Sequence, residues 1–177
     1  MKEILDNPIS LSHESIRIKV KQFLLLEECP PGWREMDLYL FRDGGTVFYV
    51  GQSYLAFDRV WEHIRSGFKA RSDVGRFLLC NWPASLNFEI ELFCSRAPEF
   101  AAIGHDLDLA EARLIRQFRP CLNGTLNDEA AALPARYRPP SSPIRCSRSL
   151  TALKFQAEMA VKMDERAGWA ETDGGGA

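Results

Sequence analysis

The 27 residues Asp37–His63, DLYLFRDGGTVFYVGQSYLAFDRVWEH, decide how the rest of the chain is read. Leu38, Leu40 and Val50 alternate with Tyr39, Phe41 and Tyr49, the period-2 pattern of strands, and Asp43-Gly44-Gly45 supplies a turn between them. A three-residue loop with Gly45 in the left-handed conformation pairs Arg42 with Thr46 and sets Tyr39 directly opposite Tyr49, both phenols on one face. A two-residue turn slips the register and separates them. Phe57, Val60, Trp61 and Ile64 then recur at helical spacing, with Gly67 in the position of a residue just past the helix end. Arg59 and His63 are four apart and share a face of this helix; Asp58 and Glu62 take the neighbouring one.

Outward from this stretch, the chain reads as short elements. Ser15–Lys21 alternates as a strand does, while Ile16, Val20, Phe23 and Leu24 also fit a helix; a short extended piece followed by a helix over Lys21–Glu28 is the expectation. Ser72 caps a helix running to Cys80, Asn87–Phe93 alternates as a third strand, and Pro98–Ile103 forms a short helical turn ended by Gly104. Leu107, Glu111, Leu114, Ile115 and Phe118 fall on one stripe of a further helix, with Asp108 as its N-cap and Glu111 as the N3 glutamate of a capping box. Pro120 stops it, and Asn123-Gly124 reads as a turn. Residues 134–148, rich in Pro, Arg and Ser, read as a linker or surface arm before a last helix from a Ser149 cap to Glu165 and a glycine tail.

Length and composition bound the function. The chain of 177 residues is long enough for a real core, has no apolar run that spans a membrane, and starts with a segment too acidic and polar for a signal peptide, so a cytoplasmic protein without a membrane partner is expected. The five cysteines form no CxxC or CxxH pair, which argues for isolated reduced thiols rather than a local zinc site. Net charge is −2, but basic residues gather over Arg59–Arg76 and Arg113–Arg148, where a polyanion or simply solvent can face them.

The order Asp37-Leu38-Tyr39, Tyr49-Val50-Gly51, Arg59 with His63, Glu111 and Asn123 resembles the GIY-YIG nuclease family across residues 36–127. That family carries two strand motifs about ten residues apart, an arginine and often a histidine on the next helix, then a glutamate and an asparagine further on. Asp37 and Leu38 depart from the family's glycine and isoleucine, which touches backbone packing more than chemistry. The resemblance implies an α+β domain with a three-stranded antiparallel sheet flanked by helices. Extensions at 1–35 and 128–177 would flank it.

The implied activity is a Mg²⁺- or Mn²⁺-dependent DNA endonuclease. Tyr39 would position or deprotonate the attacking water with His63 as relay, and Tyr49 would orient water or phosphate. Arg59 would stabilise the developing charge, Glu111 would hold the single metal ion, and Asn123 would fix Glu111 or the hairpin. Gly51, Gln52, Ser53, Arg113 and Arg116 are further contacts to the substrate. One carboxylate is enough for an ion that keeps several waters and takes a phosphate oxygen, and such an ion also accounts for a carboxylate on an apolar stripe, which otherwise costs a pKa shift or a partner such as the capping box. The alternative is a binding module of the same fold without turnover, holding nucleic acid or protein; a homodimer is left open.

Overall fold

The structure, a computed structural model, describes residues 15–173, and side chains as far as residue 168. The polar arm and N-terminal segment expected over 1–14, and the glycine tail from 174, lie outside the described residues.

The hairpin forms as expected, but through a different turn. β2 (Leu38–Asp43) and β3 (Thr46–Gln52) pair antiparallel with Asp43 opposite Thr46, so the loop has two residues, and Gly44 rather than Gly45 takes positive φ, at 55°. That turn alone puts Tyr39 and Tyr49 on opposite faces. A bulge between Phe41 and Arg42 shifts the ladder by one residue, giving Phe41 opposite Tyr49 and Tyr39 opposite Gly51. The slip and the bulge cancel in face parity, so the two phenols share a face after all, diagonally rather than directly paired.

The sheet has four strands, not three. β1 (Ile16–Lys19) joins β4 (Glu89–Phe93), and the order β1-β4-β2-β3 is antiparallel throughout. The fourth strand has an electrostatic as well as an apolar reason. Glu91, 1% exposed in the middle of the sheet, accepts hydrogen bonds from Arg17 Nη2 at 3.1 and 3.2 Å, from Arg42 Nη1 at 3.1 Å and from the Ser15 hydroxyl at 2.9 Å. A buried carboxylate without such partners is strongly destabilising, and Arg17 of β1 with Ser15 just before it supplies two of the three donor residues. The expected helix after β1 shrinks to one turn, α1 (Val20–Phe23), because Val20 N–H is drawn to the Phe88 carbonyl (2.8 Å) and the chain turns again at Leu25 and Leu26.

One sheet face is covered by α1, α2 (Ala56–Gly67), α3 (Asp73–Cys80) and α5 (Leu150–Asp173), burying Phe23, Tyr39, Phe41, Phe48, Trp61, Phe77 and Ile90 among others. The other face packs on the 3₁₀ turn Pro98–Ile103 and α4 (Leu107–Phe118) through Leu38, Leu40, Val50, Phe100 and Leu114. Gly67 is not the left-handed residue past a helix end. It is the last residue of α2, and a Cβ there would stand 2.5 Å from the Gly75 carbonyl carbon. At Gly75 a Cβ would meet the His63 carbonyl oxygen at 1.8 Å. These two glycines let α2 and α3 touch backbone to backbone, which brings the Ser72 cap against His63.

The stretch after Asn123 is stitched to the core rather than loosely laid on it. Tyr137 is buried against Phe48, Phe77 and Phe88, Asn81 bonds the Arg138 backbone on both its N–H and C=O, and Arg76 donates to the Pro140 carbonyl at 2.6 Å. α5 is longer than expected, and Ser149 does cap it. Leu153 and Ala157 are buried, and the Trp82 indole N–H donates to Gln156 (2.7 Å). The nearly buried Lys21 ammonium holds Asn87 at 2.8 Å and is ion-paired with Asp164. All five cysteines are free thiols, and no helix among the described residues is long and apolar enough to cross a membrane.

Candidate active site

The residues singled out by order and spacing gather where edge strand β3 meets α2 and α4. Tyr39 lies over Gly51, whose missing side chain makes the room: a Cβ there would be 2.4 Å from the Tyr39 hydroxyl and 2.9 Å from a Tyr49 ring carbon. The two phenol rings are 6.2 Å apart, and the His63 ring is 5.6 Å from Tyr39 and 5.4 Å from Tyr49. His63 Nε2 shares a 2.7 Å hydrogen bond with the Tyr39 hydroxyl, and its Nδ1 shares another, also 2.7 Å, with Ser72 Oγ. Ser72 Oγ accepts the Gly75 N–H at 3.1 Å, the N-cap bond of α3. Sequence reading assigned Ser72 only the cap; its bond to His63 depends on the α2–α3 crossing.

Depth divides the set. Tyr39 is 1% exposed and His63 is 6% exposed, so the phenol expected to meet the attacking water lies under the surface, and Tyr49, Arg59, Gln52 and Glu111 form the accessible layer above it. Burial pushes the Tyr39 hydroxyl far above its ordinary pKa, the nearby Tyr49 adds to this, and hydrogen bonding with Arg59 offsets part of it. Burial also raises Tyr49, helped by the charge of Glu111 and opposed by Arg59 and Tyr39. Arg59 and Glu111 are thus felt by both phenols. Arg59 is itself half-exposed and ion-paired with Glu62, one turn on.

Burial and the Arg59 charge push His63 down to about 4, so the imidazole is neutral at ordinary pH. A depressed histidine stabilises the fold fully above its unfolded value of 6.5, and that contribution drains away as pH falls from 6.5 towards about 4. Urea denaturation between pH 7.5 and 4.5 is expected to show this acid loss. His63→Gln, which keeps a hydrogen-bonding amide without the titration, is expected to flatten the slope; an unchanged slope would assign the acid sensitivity elsewhere.

Glu111 is not a capping-box residue. The N-cap of α4 is Asp106, whose side chain accepts the Leu109 N–H at 2.9 Å, so the helix starts two residues earlier than expected. Asp108 and Glu111 are released from capping and stand one turn apart, both accepting from the Gln52 amide nitrogen, at 2.6 and 3.2 Å. Burial raises the Glu111 carboxyl above the usual range, the Gln52 bond opposing and Asp108 reinforcing the shift. Beside this pair a groove of about 440 Å³ is lined by Gln52, Ser53, Tyr54, Asp106, Leu107 and Asp108, with Tyr54 fully exposed at its rim. Among the described residues no three His, Cys, Asp or Glu side chains gather into a metal cage. The oxygen donors present at Glu111 and Asp108 fit a hard divalent ion that completes its shell with water and substrate, and fit no site that needs soft or numerous protein ligands.

Asn123 pins the hairpin rather than Glu111. Its amide accepts from Val50 N at 2.9 Å and donates to Val50 O at 2.8 Å, closing the open edge of β3 as another strand would. Asp37 likewise has a structural task, accepting from the Ser95 backbone N–H at 2.7 Å and the Ser95 hydroxyl at 2.6 Å. Ser53 turns the chain into α2: its N–H donates to the Asp37 carbonyl at 2.8 Å and its hydroxyl accepts from Leu55 N–H at 3.3 Å.

The two arginines expected to touch substrate part ways. Arg113 is 6% exposed on the inner side of α4 and offers no guanidinium to a surface ligand. Arg116 lines a separate groove with Arg119 and Asp128. Part of the basic cluster is already engaged: Arg76 on backbone carbonyls of the fold, and, at the surface, Arg136 over the Tyr137 ring and Arg119 paired with Glu129. Compared with known proteins, the chain matches no family model, no curated protein and no solved structure.

Proposed function

We propose that this chain is a DNA endonuclease of the GIY-YIG type that hydrolyses phosphodiester bonds with Mg²⁺ or Mn²⁺ bound at Glu111. The observation that supports it is convergence: a guanidinium, two phenols, a neutral imidazole and a half-buried carboxylate meet at one strand edge. Glu111, with Asp108 beside it, would hold the ion, which when bound supplies Lewis acidity at the phosphate and a lowered pKa for water.

The protein's own groups do the rest. Arg59 leaves Glu62 for the phosphate oxygens, which its planar fork suits, and stabilises charge on the phosphorane-like transition state. Tyr49, the accessible phenol, orients the attacking water. Tyr39 works from beneath as a relay: its hydroxyl proton goes to His63 Nε2 as it takes up, through the Tyr49 hydroxyl, the proton released by the attacking water, while Ser72 accepts the Nδ1–H and so keeps Nε2 as the acceptor. Docking a phosphate on Arg59 cancels part of the positive field that depresses His63, so the imidazole becomes a better base when substrate is present.

The test is incubation of the purified chain with supercoiled plasmid and genomic DNA, with Mg²⁺ or with EDTA. Metal-dependent nicks or fragments are expected, and Arg59→Ala is expected to lower the rate about 10²–10³-fold with little change in melting temperature. The burial of Tyr39 favours a second reading, a binding module of the same fold in which the Tyr39–His63–Ser72 chain is purely structural. A folded chain that binds DNA or RNA yet cleaves neither with Mg²⁺ or Mn²⁺ would select it.

A further inference from the structure

Helix α5 has two apolar faces, and only one is used. Leu153 and Ala157 are buried against the core, and Asp164 on the same side is tied to Lys21. On the opposite side stand Phe155, Met159 and Met163, 63%, 43% and 66% exposed. Only six large hydrophobic side chains are exposed among the described residues, and three of them share this one stripe, which makes it a patch rather than scatter. Spaced four apart and continued by the exposed Thr151 and Ala167, they form a single ridge along the helix, the feature that interdigitates when helices pack.

The charges beside the ridge say what covers it. Along one flank lie Lys154, Glu158, Lys162 and Glu165, alternating in sign; Lys162 and Glu158 already bond within the helix at 2.6 Å. Read backwards, the row has every sign reversed. We infer that α5 pairs antiparallel with α5 of a second copy of this chain, about a two-fold axis near Met159. Met159 then meets Met159, Phe155 of each copy meets Met163 of the other, and sulfur lies against aromatic ring on both sides. Glu158 faces Lys162 twice and Lys154 faces Glu165 twice. A parallel two-fold copy turns this row towards the opposite flank of its partner, where Gln156 and Ala160 offer no charge to answer it, and one shifted by a turn leaves a contact that does not close. The antiparallel pair is self-complementary and ends at two. This inference stands apart from the nuclease reading, and nothing in its test depends on cleavage.

Sedimentation velocity and light scattering on the full chain test it. A species of twice the 20.1 kDa chain mass is expected, dissociating on dilution. Met159→Glu places two like charges on the axis and is expected to raise the dissociation constant at least about tenfold, with unchanged circular dichroism because the position is exposed in the single chain. Glu158→Lys alone is expected to weaken the dimer, and Glu158→Lys combined with Lys162→Glu to restore it. A single-chain mass at every attainable concentration overturns the inference. So does a dimer indifferent to Met159→Glu, or a double charge reversal that fails to restore association.

Discussion

Glu111→Ala is expected to fold normally and to lose at least ~10³ of the Mg²⁺-dependent cleavage rate. The two halves of this result have separate causes. On the proposed reading cleavage would depend on the carboxylate, since no cluster of three metal-ligating side chains gathers among the described residues and Asp108 alone would leave one carboxylate beside the Gln52 amide. Folding does not depend on it, because burial already penalises the charged form. A carboxyl whose folded pKa is raised contributes stability that is complete below the ordinary value of 4.5 and is lost as pH rises through the raised one. Above pH 4.5 Glu111 is therefore a cost to the folded state relative to the unfolded one, and alanine is expected to leave the melting temperature equal or higher. Glu111→Gln keeps an acceptor for Gln52 and is expected to be equally inactive. Titration calorimetry with Mn²⁺ gives a readout besides cleavage: heat present in the native chain and absent in both variants supports the ion site. Cleavage unchanged in either variant would reject Glu111 as the ligand, and a large fall in melting temperature would make it a structural residue.

Gly51→Ala is expected to disrupt the candidate site with a single methyl group. Backbone conformation is no obstacle, since φ at Gly51 lies outside the left-handed region. The obstacle is contact: the new Cβ would lie 2.4 Å from the Tyr39 hydroxyl and 2.6 Å from its ring carbon Cζ, where non-bonded carbon atoms never settle. Tyr39 is walled in by Phe41 and His63, so it can move only by giving up the 2.7 Å bond to His63 Nε2. Overpacking of this kind costs about 1–3 kcal/mol, which for a chain of this size lowers the melting temperature by about 3–10 °C. If the displaced Tyr39 opens the His63 ring to water, the burial that holds its pKa down to about 4 is relieved and a higher titration by NMR is expected, with less cleavage on the proposed reading. Gly45→Ala is the control, because a Cβ there meets nothing within 4 Å; it is expected to change stability by less than about 0.5 kcal/mol. If both variants melt and titrate like the native chain, the packing of Tyr39 on Gly51 is not what holds the site.

Much of this arrangement was legible in local pattern. The period-2 runs around Asp43-Gly44-Gly45, the helical stripe from Phe57 to Ile64, the Ser72 cap and the turn ending at Gly104 each depend on neighbours within a few residues, and each formed where the pattern put it. The grouping of Tyr39, Tyr49, Arg59, His63 and Glu111 was what the family resemblance implied, since each residue taken singly has a structural reading. Other features had two local solutions of similar merit. Asp43-Gly44-Gly45 suits a two- or a three-residue loop, and the bulge that restores the face of Tyr49 costs nothing visible in composition. Asp106 and Asp108 are equally able caps, and the choice frees or engages Glu111. Ile16–Lys19 is extended or helical by its own pattern until Glu91, 74 residues away from Arg17, requires donors.

Local pattern therefore decides which residues can occupy each kind of element, because propensity, alternation and capping act over one or two turns of chain. Tertiary structure alone decided depth and adjacency. Tyr39 became the buried phenol and Tyr49 the accessible one because α2 lies over the first, and Ser72 reached His63 because Gly67 and Gly75 let two helix backbones touch. The physical reason is that burial and contact belong to pairs of elements distant in the chain, and such pairs leave no periodic trace in either element alone.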